Sequence, residues 1–158
     1  MMITEIIPIY HSSFIIHYSI QFMKFLKDER LKSQKTISRI FKEGRSFICY
    51  PLRLVYVEVE PTADALSPIQ FSVTVAKRNF KRAVDRNVLR RRIREAYRLN
   101  KITLYNFLQA LPEDSEMKNK HFAFMVMYIA KEELPFGEIE KGIKKMIYKF
   151  EKELQING

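Results

Sequence analysis

The spacing of apolar residues changes several times along the chain, and each change marks an element. Ile37, Ile40 and Phe41 recur at i, i+3 and i+4, which predicts a short amphipathic helix from Gln34 to Glu43. Ser33 is placed to cap that helix and Gly44 to end it. Residues 52–59, LRLVYVEV, are β-branched and aromatic and read as a strand, with a further short strand expected near residues 46–50. The proline-flanked segment 61–68, PTADALSP, has the length of a hairpin loop. Residues 69–76, IQFSVTVA, alternate strictly: Ile69, Phe71, Val73 and Val75 are expected to face the core, and Gln70, Ser72, Thr74 and Ala76 a shallow polar surface.

A helical period follows, from about Arg82 to Ala110, where Pro112 stops it. Leu89, Ile93, Ala96 and Asn100 form the stripe predicted to be buried, with Tyr97 at its edge. Val84, Val88 and Leu99 make a second apolar group, and Arg92 falls between the two groups without belonging to either. Beyond the polar loop PEDSEMKNK, residues 121–130, HFAFMVMYIA, are apolar on both faces, as a central strand requires. Pro135 opens a closing helix whose apolar face is Phe136, Ile139, Ile143, Met146, Ile147, Phe150 and Leu154. The order is α-β-β-α-β-α in a chain of 158 residues, the size of one domain.

Charge adds a function class. Residues 77–101, KRNFKRAVDRNVLRRRIREAYRLNK, carry Lys77, Arg78, Lys81, Arg82, Arg86, Arg90, Arg91, Arg92, Arg94, Arg98 and Lys101 against only Asp85 and Glu95. The whole chain has a net charge of +10, so the rest of it is nearly neutral. At 100° per residue, Asn87, Arg90, Arg91, Arg94 and Arg98 share one sector about 100° wide. A one-signed face attracts a polyanion, and arginine forks match phosphate oxygens in pairs.

Other chemistry is missing. Cys49 is the only cysteine, which excludes an intrachain disulfide, and it reads as a small buried apolar residue. His11, His17 and His121 are not spaced as metal ligands, and one thiol cannot build a zinc site. Gly44, Gly137, Gly142 and Gly158 are too few and too scattered for a phosphate-cradling loop. No apolar run is long enough to span a membrane, so a reducing cytoplasmic setting is expected. Residues 3–22, ITEIIPIYHSSFIIHYSIQF, are apolar without a regular period and lack the basic start and cleavage site of a signal peptide. Residues 1–25 are read as an extension, disordered or an artefact of start-site choice with translation beginning at Met23, and residues 26–158 as the domain. The pattern suits a binding protein, or a subunit of an enzyme whose chemistry lies elsewhere.

Residues 74–98, TVAKRNFKRAVDRNVLRRRIREAYR, closely resemble the signature of the bacterial ribonuclease P protein component, an Arg-Asn-Arg core within KRAxxRNRxKRxxRE. The matching positions are Lys81, Arg82, Ala83, Arg86, Asn87, Arg90, Arg91, Arg94 and Glu95, and Val88 stands where the core has its second arginine. ERLKSQKTISRIFKEG is similar to the family's first helix and PLRLVYVEV to the strand after it. The resemblance implies an α+β fold, an α-β sandwich with a single four-stranded sheet and a left-handed βαβ crossover, ribosomal protein S5 domain 2-like. It also implies a protein subunit of the RNA-based endoribonuclease that removes the 5′ leader from precursor tRNA. Lys77, Arg78, Lys81, Arg82, Arg86, Asn87, Arg90, Arg91, Arg94 and Arg98 would then contact the catalytic RNA subunit. Ile37, Phe41, Tyr56, Ser72 and Thr74 would line an aromatic-floored cleft for the leader. Catalysis would reside in the RNA with its bound Mg²⁺; no catalytic residue or metal site is expected in the polypeptide. Precursor tRNA would be the other partner, with no membrane and no obligate protein partner. The alternatives are a small basic ribosomal or other RNA-binding protein without a role in cleavage, and a DNA-binding module using the same helix in a major groove.

Overall fold

A computed structural model of the chain describes residues 24–61 and 65–157; the expectations for residues 1–23 lie outside these. The elements are α1 (Gln34–Glu43), β1 (Arg45–Cys49), β2 (Leu52–Val59), β3 (Ile69–Val75), α2 (Ala83–Ala110), β4 (His121–Tyr128) and α3 (Phe136–Asn157). The Ser33 side chain accepts the Thr36 N–H at 3.3 Å and starts α1. Gly44 ends it in extended backbone at φ −64°, not in the left-handed form. Glycine is needed there for space: a Cβ would lie 2.3 Å from the Ile40 carbonyl oxygen and 2.7 Å from Val55 Cγ1.

The four strands form one mixed sheet in the order β1-β2-β4-β3. β4 pairs antiparallel with β2 over eight residues and parallel with β3 over seven. The hairpin expected from segment 61–68 is therefore corrected: β2 and β3 are not neighbours, because β4 lies between them. β4 is buried along nearly its whole length, because β2 and β3 pair with both of its edges and a helical layer covers each of its faces. β3, α2 and β4 consequently make a parallel crossover unit.

Register decides which side chains share a face. Tyr56, Phe124 and Phe71 stand in one row, and Val55, Met125 and Ser72 in the next, on the opposite face. The first face carries the main core, where Leu89, Ile93, Ala96, Tyr97 and Leu104 of α2 and Ile139, Ile143, Met146 and Phe150 of α3 are closed off from solvent. On the second face, Ile40 of α1 and Leu31 pack with Val55, Val57, Ala123 and Met125. The molecule is thus three layers: α2 and α3, the sheet, and α1. Arg92, unassigned by periodicity, reaches Glu133 at 2.8 Å and the Leu134 carbonyl at 2.9 Å, and ties α2 to the β4–α3 connection. Cys49 is half-buried rather than a core residue.

Residues 24–32 run as a strap ahead of α1. Phe71 N–H donates to the Glu29 carbonyl at 2.6 Å and Leu31 N–H to the Phe71 carbonyl at 3.2 Å, so the strap adds a parallel bridge to the free edge of β3.

Candidate RNA-binding surface

The amphipathicity of α2 sorts its arginines. Leu89, Ile93, Ala96 and Tyr97 are drawn into the core, and this rotation leaves Asn87, Arg91 and Arg94 exposed and Arg90 and Arg98 half-exposed. Lys77, Arg78, Lys81 and Arg82, before the helix and at its cap, are exposed as well. Arg86 has a second duty: its Nη1 donates to the carbonyls of Phe80 at 2.8 Å and Lys81 at 2.7 Å, which fixes the turn that aims these lysines and arginines. Arg98 forks onto Glu95 at 2.6 and 2.9 Å and holds that carboxyl below its usual range. Val84 and Leu99, from the second apolar group, lie open to solvent beside the arginines.

Lys101 does not belong to this field. It is fully buried; its ammonium pairs with Glu29 and donates to the Lys24 carbonyl at 2.6 Å. Helical period places it in the arginine sector, between Arg90 and Arg94; it is buried because the strap covers that point of the helix and brings the Glu29 carboxylate to meet it. The sequence counts a charge but does not say where its partner sits.

A groove of about 630 Å³ opens between α2, the strap and the edge of β3. Arg91, Arg94 and Arg98 line one wall, Arg30 and Lys32 the other, and Ser72 lies at its base. Burial and the nearby charges of Arg90 and Arg30 lower the Arg94 pKa, a sign of crowded like charge. Arg30 and Lys32 are functional candidates that the sequence reading passed over, because only the fold brings the strap opposite α2.

The α1 face of the sheet supplies a second surface. Ile37 is half-buried against Val55 and its neighbours, and Ser72 and Thr74 are half-buried on the same face. Phe41, one turn beyond Ile37, is 60% exposed. Four of the five proposed cleft residues therefore share one side, and Tyr56 is the correction. Its ring faces the other layer, meets Phe150 at 5.0 Å with an interplanar angle of 88°, and is 4% exposed. Its hydroxyl donates to Glu153 Oε2 at 2.6 Å. LRLVYVEV is apolar on both faces through its middle, so alternation cannot tell which residue looks out. Val55 occupies the position facing α1, where it and Met125 are buried under Ile40 and Leu31; Met127, Ser72 and Thr74 are the half-buried residues of this face, and none is aromatic. Phe41 is the exposed aromatic group that α1 offers.

Among the described residues no group of three or more His, Cys, Asp or Glu is placed to hold a metal ion, and no helix is long and apolar enough to cross a membrane.

These features match known proteins. A family model described as Ribonuclease P matches residues 25–151. The ribonuclease P protein component of Porphyromonas gingivalis is 38% identical over 122 residues, covering 77% of this chain and 82% of that protein. That of Chlorobium phaeobacteroides is 34% identical over 105 residues, covering 65% and 70%. Among solved structures, the Staphylococcus aureus RNase P protein superposes with a TM-score of 0.51 at 19% identity, covering 77% of this chain and 94% of that one.

Proposed function

Since this chain belongs to the ribonuclease P protein family, we propose that its basic α2 face docks on the RNA subunit while the α1 face of its sheet receives the 5′ leader of precursor tRNA. The chain is a ribonuclease P protein component, a ribonucleoprotein subunit serving tRNA processing. Its family places it with ribonuclease P RNA, which displaces the readings as a ribosomal protein or a DNA-binding module.

The observation that carries the proposal is that two surfaces of different chemistry belong to different layers and adjoin at Ser72. The arginines of α2 line a groove with Ser72 at its base, and α1, packed on the Val55–Met125 side of the sheet, carries the exposed Phe41. A basic helix neutralises phosphates and lowers repulsion between two RNAs brought together. An exposed ring near the half-exposed Ser72, Thr74 and Met127 gives single-stranded bases a stacking and contact surface without reading their edges. In this reading the hydrolysis belongs to the RNA and the Mg²⁺ it binds; the polypeptide positions the substrate, in the cytoplasm where tRNA is made.

The test is reconstitution with the cognate RNA subunit at low Mg²⁺. Added protein is expected to stimulate removal of the 5′ leader, and nuclease-treated protein alone to cleave nothing. Absence of stimulation, or cleavage by RNA-free protein, would overturn the assignment.

A further inference from the structure

The strap and α2 should repel each other. The strap carries Lys24, Lys27, Arg30 and Lys32, and α2 presents its arginines across the groove from them. They are nevertheless held together, and the polar link is buried. Glu29 sits fully buried under the strap; it pairs with Lys101 and accepts from the Tyr105 hydroxyl at 2.7 Å and the Leu26 N–H at 2.6 Å. Ser67 joins Tyr105 at 2.6 Å, and Phe25 packs edge-on against Phe71 and Tyr97, which stack at 3.9 Å. Burial pushes the Lys101 ammonium below its ordinary pKa and Glu29 opposes that shift, so the pair survives because each charge satisfies the other. Breaking one partner strands the other charge without a counter-ion, so the strap is free to leave only at a large penalty.

We propose that the strap is an RNA-contacting element, with Arg30 and Lys32 receiving a phosphodiester backbone opposite Arg94, and that Glu29 and Lys101 are the positioning residues that hold it there. This rests on the reading of the α2 face as the RNA-subunit surface. Two walls of cations about one groove favour a polyanion between them, since Glu95, the one carboxylate among the lining residues, is already held by Arg98, and a phosphodiester chain supplies one charge per residue in a continuous line. Lys101, the last residue of the basic run, then serves RNA binding from inside the protein rather than by touching RNA.

The experiment measures affinity for the cognate RNA subunit across a salt series. Arg30→Ala with Lys32→Ala, both at exposed positions, is expected to weaken binding several-fold and make the salt slope shallower by about 2. Glu29→Leu with Lys101→Met replaces the buried pair by apolar groups of similar size, a change that cores tolerate. It is expected to give the same loss of slope, to raise hydrogen exchange across residues 24–32, and to add nothing when combined with the Arg30 and Lys32 changes. If that pair does not fold, Glu29→Gln with Lys101→Gln, which leaves no buried charge and keeps an acceptor for Tyr105 and Leu26, carries the same comparison. An unchanged slope in the Arg30 and Lys32 variant overturns the RNA contact. An unchanged slope in the Glu29 and Lys101 variant, despite loss of thermal stability, overturns the positioning role. Arg90→Ala with Arg94→Ala is measured alongside: if these also bind normally, the reading of the α2 face is what has failed.

Discussion

Tyr56 and Phe41 are both aromatic, lie on adjoining elements and have opposite environments. The Tyr56 ring is enclosed by Phe47, Phe122, Phe124 and Phe150, with centroid distances of 5.0 to 6.4 Å. Truncating it leaves a cavity and removes the hydroxyl that donates to Glu153. Tyr56→Ala is expected to cost about 3–5 kcal/mol of stability, and to weaken precursor and mature tRNA alike through loss of folded protein. Phe41 is 60% exposed, so Phe41→Ala is expected to leave the melting temperature nearly unchanged. If the ring stacks on the leader, the same change weakens binding of precursor tRNA by roughly 1–3 kcal/mol and spares mature tRNA. Thermal melts beside paired binding titrations separate the two residues. Equal loss for both tRNAs in a well-folded Phe41→Ala protein would remove Phe41 from the leader surface.

At the scale of the element, α2 does two jobs along one helix, and its arginines divide accordingly. Arg90, Arg91 and Arg94 project from the outer side, whereas Arg92 is bonded to Glu133 and the Leu134 carbonyl. Replacing Arg90, Arg91 and Arg94 together by alanine is expected to reduce the salt slope of RNA binding by about 2 to 3 with little change in melting temperature. Arg92→Ala is expected to do the reverse. It costs about 1–2 kcal/mol through the lost bonds and leaves the salt slope as it was. A denaturant titration and a salt series on the two variants decide the matter, and exchanged outcomes would mean that the helix faces have been assigned the wrong way round.

At the scale of the whole molecule, the main core takes in four phenols, those of Tyr56, Tyr97, Tyr105 and Tyr128. Burial raises the pKa of Tyr97, Tyr105 and Tyr128, and burial with the bond to Glu153 pushes Tyr56 up to about 12. An unfolded tyrosine loses its proton near pH 10. Above that value the unfolded chain binds fewer protons than the folded one, so stability is full below pH 10 and falls as pH rises from there. Each such tyrosine contributes a slope of up to about 1.4 kcal/mol per pH unit. Denaturant titrations between pH 10 and 12 should show this loss, and Tyr56→Phe should make it shallower. A Tyr56→Phe protein with the same pH dependence as the parent would show that Tyr56 does not titrate with unfolding.

Local pattern settled the elements because it is local physics. The Ile37–Ile40–Phe41 spacing, the Ser33 cap, the alternation of IQFSVTVA and the arginine sector of α2 each depend on residues within a turn or two, and the structure bears them out. The family signature, too, lies within one stretch of chain. Tertiary structure decided the rest. A strand apolar on both sides does not announce its facing, so register alone exchanged Tyr56 for Val55 on the α1 face. A loop of hairpin length does not say that a later strand will claim the space between its two ends, as β4 does. The charge on Lys101 reads as surface charge until Glu29, 72 residues away in sequence, is brought beside it. Pairing partners far apart in sequence are chosen by the packing of the whole chain, which is why the groove wall of Arg30 and Lys32 became visible only in three dimensions.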